Sequence, residues 1–305
     1  MTSEGTGAAL RIQENVSLSR LTSVGIGGSA TALARPETVA ELQLALAWAG
    51  ERDLRAVPIG LGSNVLVADE GVDALIIRLA GELESVRVDG ELLVAGGGAK
   101  NAVCLHRARS AALGGFEFAC AIPGTAGGGI RMNAGAYGSE WSDVVARALV
   151  VDAEDARWLT PSELDLSYRH SNLRPGQVVA RVEFRLERRA SDAVKELVAD
   201  LQRRRKTTQP TNKRTFGSVF KNPKHELGAG GMIEVCGLKG YRVGGALISP
   251  RHANFIENAD GARAVDALAL MAEARRRALD EFGVVLEREV ELLGELELPP
   301  AGQVV

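Results

Sequence analysis

The sequence is short of the residues that would mark a secreted, metal-binding or membrane protein. Its three cysteines, Cys104, Cys120 and Cys236, lie far apart with no CxxC pair. That spacing gives no disulfide framework and fits a reducing cytosol. Histidine is nearly as scarce, with four residues and no HExxH or zinc-finger spacing. Cys104 and His106 stand two apart inside a helical pattern, and no metal site is expected. There is no run of 18 apolar residues, so no transmembrane helix and no membrane partner are expected. The first twenty residues contain no apolar signal core, and a cytoplasmic location is the expectation. Formal charge is only −3, without the basic footprint that a nucleic-acid partner requires. Repeats, low-complexity tracts and interface stripes are absent too, and a monomer is the expectation.

What remains is an ordinary globular composition, 46% apolar and 25% charged over 305 residues. Such a chain is long enough for two or three domains with real cores. Glycine is the exception: there are 35, where a usage of about 7% would give roughly 21. Gathered in loops, glycines mark tight turns or close backbone approach to a ligand.

Strand and helix patterns alternate early. Pro36 suits a first helical turn, with the apolar Val39, Leu42, Leu44, Leu46 and Trp48 following it. Ala56–Ile59 and Ala74–Leu79 read as short buried strands. Ser85–Ala95 reads as a hairpin turning at Asp89-Gly90. A helix is expected over Lys100–Ala112, a second hairpin over the VVARALVVDAEDARWLT stretch, and a half-buried strand over Val178–Leu186. Composition changes after Leu186. Ser191 suits a helix cap, and Arg203–Lys206 sits at that helix's end, where cations complement the dipole or simply meet solvent. Gly261–Phe282 reads as a long helix, and GVVLEREVELL as a final strand with Glu287, Glu289 and Glu291 on one face. The tail Leu296–Val305 shows no motif and is expected to lack order. A mixed α/β part to about Arg188 precedes a smaller α+β part.

Two glycine loops carry the chemistry. Gly60-Leu61-Gly62-Ser63-Asn64 directly follows a strand, but position 65 is valine, so GxGxxG fails, and no Walker A spacing exists. Converging backbone N–H groups with Ser63 and Asn64 would suit phosphate oxygens; a purely structural turn is the alternative. The second loop, Ile122–Gly138, reads IPGTAGGGIRMNAGAYG, six glycines in 17 residues, and neither regular helix nor strand is expected there. Bare backbone at Gly127-Gly128-Gly129, flanked by Thr125 and Asn133, suits a flat aromatic ring with a diphosphate tail.

Taken in order, these loops and five further segments resemble the UDP-N-acetylenolpyruvoylglucosamine reductase (UDP-N-acetylmuramate dehydrogenase) family, in its shorter, type II branch. The segments are TSVGIGG (Thr22–Gly28), YRHSNL (Tyr168–Leu173), FGSVFKNP (Phe216–Pro223), GLKGYRVGGALISPRHANFIEN (Gly237–Asn258) and LEREV (Leu286–Val290). The resemblance implies an α+β fold: a vanillyl-alcohol oxidase/PCMH-type FAD-binding domain of two subdomains, 15–80 and 81–188, plus a smaller α+β substrate-binding domain, 189–295, with the C-terminal strand. Two departures stand out: Gly129, where the family usually has alanine, and SVGIGG, commonly richer in threonine.

The resemblance also implies an activity: a non-covalently held FAD takes hydride from NADPH as co-substrate and reduces an enolpyruvyl ether on UDP-N-acetylglucosamine, in peptidoglycan precursor synthesis. FAD would meet Gly60, Leu61, Gly62, Ser63, Asn64 and Val65, then Gly124, Thr125, Gly127 and Gly128, with Asn133, Ala134 and Gly135 near the flavin. Arg169 matches the family arginine that grips the substrate carboxylate, a task suited to a guanidinium fork. Ser218 matches the proton donor, with Lys221 as the expected stabiliser of its alkoxide. Glu289 matches a glutamate that must be protonated to help an anion, and so must have a raised pKa. Tyr168, Lys221 and Asn222 are expected at the substrate, with Lys239, Tyr241 and Arg242 on its diphosphate. His252, beside Asn254, either orients substrate or caps a turn. Two other classes stay open: an oxidase with covalent flavin, for which Cys120 is the candidate attachment residue, and a non-catalytic UDP-sugar or flavin sensor.

Overall fold

The computed structural model describes residues 10–302; positions 1–9 of the start, and positions 303–305 of the tail, lie outside the described residues. Chain order builds three packed units. In the first, Ser29–Ala34 leads through the helix Val39–Gly50 to Arg55–Pro58, and both strands run parallel to Val72–Ile77 between them. Ile12–Ser17 closes that sheet antiparallel. The helix begins at Thr38 rather than at Pro36: the Thr38 hydroxyl accepts from the Glu41 N–H. A capping side chain satisfies a donor that proline could only delete.

The second unit is a five-stranded antiparallel sheet in the order Ala156–Leu159, Val145–Val151, Val178–Arg185, Leu92–Gly96, Val86–Asp89. Val178–Arg185 is its central strand and is buried on both faces, not one. One side packs on Phe116, Phe118, Trp141 and the helix Asn101–Ser110; the other contributes Leu149, Val151, Val178 and Ala180 to a core shared with the first unit. The first hairpin pairs Asp89 with Leu92, so its turn is Gly90-Glu91. Only Gly90 takes a positive φ there, at 62°. Helix Ser191–Thr208 sends Val194 and Val198 into this second core. Ser191 does not cap it; its hydroxyl donates to the Arg109 carbonyl.

The third unit packs the helices Ala229–Val235 and Ala264–Phe282 on an antiparallel sheet ordered Thr215–Ser218, Phe255–Asn258, Ala246–Ile248, Arg242–Val243. Its core reaches back to Val24, Ile26 and Leu66. The expected final strand shortens to Glu291–Leu293, which pairs parallel with Val65–Val67 of the first unit. Leu286 and Val290 are fully buried beside it, so side-chain packing and a single antiparallel bridge between Arg288 and Phe220, not an extended ladder, fix the LEREV segment. Beyond it, Leu296 and Leu298 pack on the third core and the Pro299 carbonyl accepts from Arg275. The described part of the tail is therefore held.

The second glycine loop contains a helix after all, Ala126–Arg131, capped by the Thr125 hydroxyl. Its glycines are dictated mostly by protein neighbours. A Cβ at Gly127 would stand 3.0 Å from the Gly97 and Val179 carbonyl oxygens. At Gly129 it would meet the Trp141 ring at 2.3 Å. The buried indole thus fills the space an alanine methyl would need. Gly129→Ala is expected to cost about 1–3 kcal/mol through overpacking, read as a lower denaturant midpoint at unchanged slope.

Candidate functional site

A cleft of about 1300 Å³ runs between the three units. Small-ligand pockets usually measure about 300–1,000 Å³, so this one has room for a cofactor and a substrate together. One wall is the loop from Gly60 to Val65; the facing wall carries Gly124, Thr125, Gly128, Ala134 and Gly135. Among the described residues, no backbone N–H of residues 60–64, 124 or 125 finds a protein acceptor. Unpaired N–H groups converging on a cavity seek an anion, and a diphosphate fits them. The two walls are tied together where the Ser63 hydroxyl donates to the Pro123 carbonyl. Of the glycines here, Gly62 has φ at 60° and leaves no room for a side chain, because its Cβ would stand 2.2 Å from the Leu21 carbonyl oxygen. The bare walls fit a flat ring with a diphosphate tail.

At the junction of the units the cleft brings Arg169, Ser218 and Glu289 to one wall. Arg169 Nε donates to Glu289 Oε1 at 2.8 Å and Nη2 to the Gly135 carbonyl at 2.8 Å. Three of its five N–H donors remain for a ligand. Its backbone sits at φ 55°, a left-handed conformation that costs a non-glycine residue of order 1 kcal/mol and is typical of functional positions. Burial pushes the Glu289 carboxyl above the usual carboxylate range, with Arg169 pulling the other way. Ser218 ends a strand opposite Phe255, and among the described residues its hydroxyl has no hydrogen-bond partner. The Glu289 N–H donates to the Val219 carbonyl at 2.8 Å, so the serine segment and the glutamate segment are joined directly.

Several expected residues sit elsewhere. Asn133 is fully buried, and its amide bonds Glu140, the Ser167 carbonyl and the Ser142 N–H. It shapes the turn leading to Arg169, and both of its side-chain N–H donors are taken by protein. Gly127 lines only a small side hollow. Tyr168 lies beside the cleft, with the Arg169 guanidinium 4.9 Å from its ring centre and its hydroxyl accepting from the Asn222 N–H. The Asn222 side chain turns to cap the next helix at Ala229. Lys221 Nζ pairs with Glu287 at 2.8 Å, which turns its charge to that surface carboxylate and not to Ser218. Lys239 pairs with Glu234, Tyr241 lies under Arg277, and neither they nor Arg242 line the cleft. His252 caps a turn, its Nδ1 accepting from the Asn254 N–H. Cys120 is off the cleft wall and burial pushes its thiol up, which disfavours the thiolate that flavin attachment would need. Cys104 is a core residue, its thiol pushed up to about 12 by burial.

Two features escaped the motifs. Asn254 clamps the serine segment: its amide accepts from the Phe220 N–H at 3.0 Å and donates to the Phe220 carbonyl at 2.8 Å, while its own carbonyl accepts from Val219. Such two-way pairing locks a backbone without regular sheet structure, and only its place inside HANF hinted at it. Arg131 and Arg205 also line the cleft without a carboxylate partner among the described residues. Arg131 lies inside the second glycine loop and Arg205 in the run Arg203–Lys206, but the sequence assigns neither a ligand there. No helix among the described residues is long and apolar enough to cross a membrane.

Comparison with known proteins places these features in a family. Residues 209–293 match the family model of the UDP-N-acetylenolpyruvoylglucosamine reductase C-terminal domain, and residues 30–160 match that of an FAD binding domain. The chain is 44% identical over 279 residues to UDP-N-acetylenolpyruvoylglucosamine reductase of Anaeromyxobacter dehalogenans, covering 92% of this chain and 84% of that one. It is 44% identical over 287 residues to UDP-N-acetylenolpyruvoylglucosamine reductase 2 of Symbiobacterium thermophilum, covering 93% and 92%. The crystal structure of the Thermus caldophilus reductase superposes with a TM-score of 0.82 at 37% identity, over 94% of this chain and 100% of that one.

Proposed function

Because this chain belongs to the UDP-N-acetylenolpyruvoylglucosamine reductase family, we propose that it is an NADPH-dependent flavoenzyme. It reduces the enolpyruvyl ether of UDP-N-acetylglucosamine enolpyruvate to UDP-N-acetylmuramate, a step of peptidoglycan precursor synthesis in the cytoplasm. The observation that carries this reading is the meeting of Arg169, Ser218 and Glu289, from three distant segments, at one end of a cleft walled by bare backbone.

The chemistry a bound FAD supplies is hydride relay, from NADPH to the terminal vinyl carbon of the substrate. The N–H groups of the Gly60–Asn64 loop and of Gly124 and Thr125 hold its diphosphate, and Ala134 and Gly135 leave space for its ring. The chain's own part is electrostatic and acid–base. Hydride arriving at the vinyl carbon drives negative charge onto the substrate carboxylate, and the free N–H donors of Arg169 meet that charge as it grows. Glu289 holds the guanidinium in place through Nε, and its raised pKa favours the protonated form that can donate to the same anion. Ser218, aimed into the cleft by the Asn254 clamp, gives a proton to the carbon bearing the ether oxygen. Tyr168 braces this end by receiving the Asn222 N–H.

The test is optical. Under anaerobic conditions NADPH bleaches the flavin absorbance of the purified protein, and UDP-N-acetylglucosamine enolpyruvate restores it stoichiometrically. UDP-N-acetylglucosamine, which lacks the vinyl group, leaves it bleached. A flavin that the enolpyruvyl ether fails to reoxidise would contradict the assignment.

A further inference from the structure

Arg131 ends the helix Ala126–Arg131 and is the one arginine among the described residues that lines both the main cleft and the small hollow sharing its wall. Gly60, Leu61, Thr125 and Gly128 line both as well. The guanidinium is half-buried, and what holds it is neutral: Nη2 donates to the Gln177 carbonyl at 2.9 Å and to the Arg174 carbonyl at 3.4 Å. The Ser171 hydroxyl fixes the backbone beneath by donating to the Arg131 carbonyl. Glu291, on the cleft wall, acts on the charge only from a distance. Burial pushes the Arg131 pKa down. A guanidinium partly withdrawn from water and met only by carbonyls is a costly arrangement unless an anion completes it. Across the same space stand the unpaired N–H groups of residues 60–64. A guanidinium with no anionic partner and a row of unpaired N–H groups thus share one cavity.

We propose that Arg131 is the counter-charge for the diphosphate of the flavin dinucleotide, facing the backbone donors of the Gly60–Asn64 loop. This rests on the flavin reading of the cleft. The two phosphates are the charged groups of the dinucleotide; riboflavin shares its ring and ribityl chain and has none. Arg131 therefore distinguishes the dinucleotide from the bare flavin, and it contributes to retention of the cofactor rather than to the reaction.

The proposal is tested by titrating the flavin-stripped full-length chain and its Arg131→Gln and Arg131→Lys variants with FAD and with riboflavin, following the change in flavin fluorescence. Arg131→Gln keeps a donor for the Gln177 carbonyl and loses the charge. It is expected to weaken FAD binding by about 10–100-fold, the range of a lost charge-assisted hydrogen bond, and to leave riboflavin binding unchanged. Arg131→Lys recovers most of the loss. FAD affinity of the unaltered chain falls with rising KCl more steeply than that of the glutamine variant, as screening of a charge pair requires. Equal weakening of FAD and riboflavin would show that Arg131 only braces the 174–177 turn and would overturn the proposal, as would undiminished FAD binding by the variant. Failure of the unaltered chain to bind FAD would instead overturn the flavin reading, and this proposal with it. If the glutamine variant does not fold, Arg131→Met takes its place in both the titrations and the salt comparison, with the same results expected and the same results overturning the proposal.

Discussion

Replacing Ser218 by alanine is expected to slow reoxidation of the NADPH-reduced enzyme by the enolpyruvyl substrate by about 10²–10⁴-fold, the usual contribution of a positioned general acid. Flavin reduction by NADPH should stay within about two-fold of the unaltered rate, because an interaction used only in the second step is lost only there. Stopped-flow absorbance separates the two steps. The expectation rests on placement. Ser218 lines the cleft with a hydroxyl that no protein group occupies, at the end of a strand whose continuation Asn254 holds by three hydrogen bonds. Gly217, at φ 81°, bends the chain beside the loop assigned to the cofactor, where a side chain would come within 3.2 Å of the Ser63 carbonyl oxygen. Alanine fills the same space without strain, so a stability loss does not confuse the reading. Lys221 does not supply the help that a poor acid needs, since Glu287 holds it.

Arg169→Met should be as damaging in a different way. The substrate carboxylate loses its cation, and Glu289 loses the nearer of the two cations, Arg169 and Lys221, that hold its pKa down against burial. The substrate half-reaction is expected to slow by about 10²–10³-fold, the scale of removing a preorganised donor from a developing anion. The concentration of substrate needed for half-maximal rate should also rise, because the carboxylate is held before the reaction as well as during it. Arg169→Lys should restore little, since an ammonium cannot reach Glu289, the Gly135 carbonyl and a carboxylate at once. FAD absorbance of the purified variant should be unchanged; loss of cofactor would mean that Arg169 holds the flavin rather than the substrate.

Much of the site was legible because the constraints behind it are local. A loop needing free N–H groups shows as glycines, and Gly60–Asn64 lies where a strand ends. Arg169, Ser218 and Glu289 were found through motif resemblance, and the cleft brings all three together. What stayed hidden depends on partners remote in sequence. The helix Ala126–Arg131 contradicts its own glycine content because Thr125 caps it and because Gly97, Val179 and Trp141 require the missing side chains. LEREV reads as a strand by alternation, yet Leu286 and Val290 anchor it in a core and only Glu291–Leu293 finds a ladder, 226 positions from its partner at Val65–Val67 (291 − 65). Asn133 looks like a ligand donor among glycines, but Glu140 and the Ser167 carbonyl take both of its side-chain N–H groups. The boundary near Arg188 followed composition, whereas Val194 and Val198 follow the nearest apolar surface.

The claim that joins these observations is that one side chain, held on one face of the substrate, delivers the proton. Turnover in D₂O with unlabelled NADPH, followed by NMR of the product, tests it most directly. The account predicts deuterium on the carbon bearing the ether oxygen, in a single configuration. Protium at that carbon, or deuterium in both configurations there, would contradict it.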